Sequence, residues 1–74
     1  MKKISIVEKE NVIFLIGEER VLKKIKFNLS KGGYEGLQID IAMKILVEAG
    51  SPQERFLMKK EIKEIISKTL EGEE

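Results

Sequence analysis

The sequence predicts an α+β fold: a three-stranded antiparallel β-meander over residues 1–30, then a two-helix hairpin over residues 34–70 packed on one face of the sheet. Three observations predict it. Two β-branched runs, around Ile4 to Val7 and Val12 to Ile16, flank the turn-forming pair Glu10-Asn11. Apolar and polar side chains alternate from Ile25 to Ser30. Helix stop and start signals meet between Glu48 and Glu54.

Residues 2–9 carry Ile4, Ile6 and Val7 and read as the first strand. Asn11 suits the turn because Asn tolerates left-handed backbone. Residues 12–16 are apolar without interruption, the pattern of a central strand covered on both faces. Residues 17–20 supply the next turn. In residues 21–30, Val21, Ile25, Phe27 and Leu29 point one way, and Leu22, Lys24, Lys26, Asn28 and Ser30 the other, as in a half-buried edge strand. A competing reading makes residues 18–25 a helical turn, from Val21, Leu22, Ile25 and a Glu19–Lys23 pair.

Residues 34–49 read as the first helix. Its apolar positions cover most of the circumference and leave only Asp40, Lys44 and Glu48 as a polar stripe. A helix that apolar needs cover on nearly every side, and a small domain has little other structure to supply it. A homodimer is therefore expected, with Ile39, Met43 and Val47 at the interface. Gly50 suits a left-handed C′ position, Ser51 an N-cap, Pro52 the first helical position, and Glu54 the second half of a capping box. Residues 52–70 form the second helix, with Phe56, Met58, Ile62, Ile65, Ile66, Thr69 and Leu70 inward and Lys60–Glu64 and Glu64–Lys68 pairs outward. Residues 71–74 are expected to fray, and no internal repeat is evident.

The 74 residues are read as one domain. Charged residues make up 36% of them, against about 25% in average domains. The excess is Lys and Glu, a bias that resembles proteins of thermophiles. The chain has no Cys and no His, which removes disulfides, thiolate metal clusters, the usual base near neutral pH and the commonest nucleophile. An enzyme is not expected, and neither is a metal or cofactor. Gly33-Tyr34-Glu35-Gly36 matches the spacing of the loop that clamps nucleic acid in KH domains, but it follows a strand and carries an acid, so it reads as a connection. No apolar run approaches the ~20 residues of a membrane span, and Glu8 and Lys9 interrupt the start where a signal peptide needs an apolar core. The expectation is a soluble cytoplasmic protein that avoids membranes.

Net charge is +1, distributed unevenly. Residues 1–31 hold eight basic and four acidic side chains, and residues 32–74 hold six and nine. Between Arg20 and Lys31 five basic residues occur without an acid. A polar-alternating strand, a helix, a tight turn and a capped helix together resemble the ribbon-helix-helix DNA-binding proteins over residues 23–70. The resemblance implies intertwined chains whose paired strands enter the major groove of double-stranded DNA. It places Lys24, Lys26 and Asn28 toward the bases and the backbone N–H groups around Ser51 and Gln53 toward a phosphate. The leading expectation is thus a small nucleic-acid-binding or transcription-regulating protein acting through Lys23, Lys24, Lys26, Asn28 and Lys31. The alternative is a protein-interaction module or accessory subunit without nucleic-acid contact.

Overall fold

Two β-hairpins, each followed by a helix, make up the chain. The structure, a computed structural model, describes residues 4–73. In order the elements are β1 (Ile4–Lys9), β2 (Val12–Gly17), α1 (Glu19–Lys31), β3 (Leu37–Ile39), β4 (Ala42–Leu46) and α2 (Pro52–Glu71). The strands form one antiparallel sheet in the order β1-β2-β4-β3. Both helices lie against one of its faces. Ile13 and Leu15 of β2 and Met43 and Ile45 of β4 project into that layer and meet Val21, Leu22, Ile25 and Leu29 of α1 and Ile62 and Ile66 of α2. Each of these side chains is at most 1% exposed.

The two halves repeat one another around a pseudo-two-fold axis normal to the sheet. β2 and β4 pair about the Phe14–Lys44 position. At the two ends of that ladder, Gly17 N–H donates to Ile41 O (2.9 Å) and Val47 N–H donates to Asn11 O (2.8 Å). Those bonds exchange under the axis, as do the left-handed turn residues Glu10 (φ 53) and Asp40 (φ 52). The repeat escapes inspection of the sequence because only the burial pattern is kept: Ile13 and Leu15 correspond to Met43 and Ile45.

The α+β class and the four-residue start of α2 agree with expectation, and two elements differ. Residues 21–30, read as the edge strand of a three-stranded sheet, are helix α1. Val21, Leu22, Ile25 and Leu29, which are buried, follow the 3.6-residue period; Phe27, the residue that completed the apparent alternation, is 62% exposed. The competing helical reading had the right local geometry, including a Glu19–Lys23 ion pair at 3.6 Å. Residues 34–49, read as the first helix, hold the β3–β4 hairpin. Met43, Ile45 and Val47 are buried while Ala42, Lys44 and Leu46 are exposed, which is period two. Apolarity on every side of an imagined helix is apolarity on both faces of a strand. β2 is central as expected, but only one of its faces is covered.

Gly50 does adopt positive φ (86), though it links a strand to α2 rather than two helices. Glu54 N–H donates to Ser51 Oγ (3.2 Å) and Ser51 N–H donates to Glu54 Oε1 (2.8 Å), completing the capping box. Ser51→Ala is expected to lower the melting temperature by roughly 4–8 °C in a thermal scan, the effect of losing about 1 kcal/mol of capping. The apolar side of α2 is narrower than expected: Ile62, Ile66 and Thr69 are buried, while Phe56 is 68% exposed. The outward Lys60–Glu64 and Glu64–Lys68 pairs are not among the ion pairs of the described residues; Lys59 (3.3 Å) and Lys63 of α2 pair instead with Glu8 of β1. Residues 71–73 are not a loose end, because Glu73 bridges to Arg20 (2.8 Å) and Lys24 (2.5 Å) and ties α2 to α1. Lys2, placed in the first strand, and Glu74, placed in the tail, lie outside the described residues.

Tyr34 donates its hydroxyl hydrogen to Glu61 Oε1 across the same helical layer. That bond to a carboxylate favours the phenol and pushes its pKa up to about 12. A raised folded-state value means that the contribution to stability is complete below pH ~10, the ordinary tyrosine value, and is lost as pH rises toward the folded value. Tyr34 is the sole tyrosine, so tyrosinate absorbance reads it directly. Its midpoint is expected well above 10 in the native chain and back near 10 in Glu61→Gln.

Candidate interaction surface

The sheet face turned away from the helices is built by the same register that fills the core. With Ile13, Leu15, Met43 and Ile45 inward, their neighbours along each strand point out. On β2 these are Val12, Phe14 and Ile16, flanked by Ser5, Val7 and Lys9 of β1. On the other side stand Ala42, Lys44 and Leu46 of β4, with Leu37 and Ile39 of β3 beyond them. Val7, Phe14, Ile16, Leu37, Ile39 and Leu46 are between 38% and 65% exposed.

An antiparallel sheet covered on one side normally alternates apolar inward and polar outward. Here the outward set is mostly apolar as well. Six large apolar side chains thus stand exposed together on one face, and contiguous apolar patches of that kind mark interaction sites more often than bare solvent-facing surface. The strands that present it are held on their other face by the packed core, so the surface is preformed. The sequence carried a signal of it: the unbroken apolar run of residues 12–16 and the all-round apolarity of residues 37–47.

The expected nucleic-acid-binding residues do share one element, but α1 disperses them. Lys24 is paired with Glu73 (2.5 Å). Asn28 donates from Nδ2 to Thr69 Oγ1 at 2.9 Å, within the helix–helix seam. Lys23 pairs with Glu19, and the Lys31 ammonium sits 4.7 Å from the Phe27 ring centroid. Lys26 is exposed on the outer side of the helix. The carboxylate of Glu73 is held below the usual range, first by Lys24 and then by Arg20, and that of Glu8 chiefly by Lys63. Both pairs therefore contribute fully above the ordinary carboxylate value of about 4.3 and lose that contribution as pH falls through the lowered folded values.

Ser51 and Gln53 lie exposed at the start of α2, where the Ser51 hydroxyl accepts from Glu54 N–H and the Glu54 carboxylate accepts from Ser51 N–H. Of the three expected interface residues, Ile39 is 65% exposed on the bare face. Met43 and Val47, each 1% exposed, belong to the chain's own core and cannot meet a partner. They were misplaced because strand alternation sends them to the side opposite Ile39's. The strand and first helix that carried the ribbon-helix-helix resemblance are a helix and a hairpin, and only its capped second helix keeps its place. No protein-family model, curated protein or solved structure matches the chain.

Proposed function

We propose that this protein is a non-enzymatic interaction module, an accessory subunit that docks onto another protein through the bare face of its sheet. The observation that carries this reading is the contiguous apolar surface over all four strands, opposite a fully formed core. A photo-crosslinking side chain placed at Phe14, Ile16 or Leu46 in the producing cells tests it. All three positions are expected to yield the same crosslinked protein, and a crosslinker at Lys60, on the exposed side of α2, is expected to yield none. Crosslinks that do not depend on the face overturn the reading.

Nucleic-acid binding is the rival, and α1 supplies its remaining support: Lys23, Lys26 and Lys31 are exposed around Phe27. The ion pairs of Lys24 and Lys23 lower the charge available to phosphate. We expect fluorescence anisotropy with a labelled random duplex to show no binding at physiological salt. Tight binding that weakens by orders of magnitude between 50 and 200 mM salt, and that Lys26→Glu abolishes, favours the rival, since phosphate contacts release counterions.

A further inference from the structure

One charge stands in the middle of the bare face. Lys44 lies on β4, an inner strand, with Phe14 on one side and Leu37 on the other, and with Ala42 and Leu46 before and after it on the same face. Among the described residues its ammonium has no ion pair and no hydrogen bond. Glu35 lines a trough beside Lys44 that runs round the sheet's edge toward Lys26 and Met58 of the helices, and does not pair with Lys44. Any partner that covers the six apolar side chains also takes the Lys44 ammonium out of water, which is unfavourable unless a counter-charge meets it.

We infer, resting on the docking reading above, that the occupant of this face is a protein segment whose apolar side chains surround a carboxylate, and that Lys44 selects it. Charge complementarity separates this occupant from two others. A second copy would bring the same face, whose strand positions hold Lys9 and Lys44 and no acid, so that self-packing buries like charges against an apolar wall. A bilayer surface would draw Lys44 under the acyl chains, whereas interfacial binders keep their cations on the polar side, at the headgroups. Lys44 thus disfavours self-association and favours one chemistry of partner.

Selection from a phage-displayed random-peptide library tests this, run on the wild-type chain and on Lys44→Glu, with Phe14→Glu as the control for the face and circular dichroism confirming the folds. Wild-type binders are expected to share an Asp or Glu set among apolar residues. They are expected to lose about thirtyfold or more in affinity on Lys44→Glu, the size typical of breaking a covered charge pair. Lys44→Glu itself is expected to select Lys or Arg in place of the acid, and Lys44→Leu to make the chain self-associate in sedimentation. Lys44→Gln serves if the Glu variant does not fold, and is expected to weaken the acidic binders in the same direction. Absence of binders, or binders without acidic preference and unaffected at Lys44, overturn the inference; if Phe14→Glu still abolishes their binding, the docking reading stands. Binders indifferent to Phe14→Glu overturn both. A wild-type dimer through this face, or binding to phosphatidylserine vesicles that Phe14→Glu abolishes, also overturns the inference and names the occupant as a second copy or a bilayer.

Discussion

Met43→Glu is expected to leave the chain unfolded at room temperature, whereas Ile39→Glu is expected to leave its circular dichroism spectrum and melting temperature nearly unchanged. The two residues lie on adjacent paired strands, and the hairpin's alternation sends them to opposite faces. Met43 is 1% exposed and packs closely on Gly36, where an added Cβ would lie 2.7 Å from Met43 Sδ. A carboxylate there has no cation to meet and displaces a thioether that fills the gap. An unpaired buried charge costs several kcal/mol, and a domain of this size has only about 3–5 kcal/mol to lose. Ile39, at 65% exposure, gives up little on becoming Glu. Equal destabilisation by both would mean that the bare face is covered in the native protein, and equal tolerance would mean that the hairpin register is wrong.

Ile66→Ala is expected to lower the melting temperature by roughly 10–30 °C in a calorimetric scan. Ile66 is fully buried on α2 in the same cluster as Ile25, Leu29 and Ile62. Removing its three outer carbons costs on the order of 2–5 kcal/mol, the transfer loss plus a cavity that the surrounding helices cannot close. At a few degrees per kcal/mol for a chain of this length, the shift is large. The neighbouring substitution Phe56→Ala is the comparison. Phe56 is 68% exposed, and its loss is expected to change stability by less than about 0.5 kcal/mol. A large loss at Phe56 with little at Ile66 would place the apolar side of α2 on the opposite side of the helix.

Local chemistry determined the parts of this molecule that depend on a few adjacent residues. The start of α2 follows from Ser51, Pro52 and Glu54, whose capping bonds close within one turn whatever the rest of the chain does. The first hairpin follows from two β-branched runs around a two-residue turn, although Glu10 and not Asn11 takes the left-handed backbone. Elsewhere residues 21–30 and 34–49 satisfied two periods at once. Ile25, Phe27 and Leu29 alternate, yet Val21, Leu22, Ile25 and Leu29 also make a helical stripe. Residues 37–47 are apolar enough to read as a helix buried all round.

Tertiary structure decided both. Adding β4 beside β2 covers the inner edge of the first hairpin and buries Met43 and Ile45 next to Ile13 and Leu15. α1 then fits as a helix because only a helical stripe presents Val21, Leu22, Ile25 and Leu29 to that layer together. The same pairing sorts the candidate site. It moves Lys24 and Asn28 into contacts with the end of α2, draws Met43 and Val47 into the core, and leaves Phe14, Leu37 and Leu46 around Lys44 on a surface that local apolar runs signal but whose membership they do not fix. Composition and spacing determined that the chain has more apolar surface than one small core can hold. Which side chains remain outside depends on strand register, and register is a contact between residues far apart in sequence.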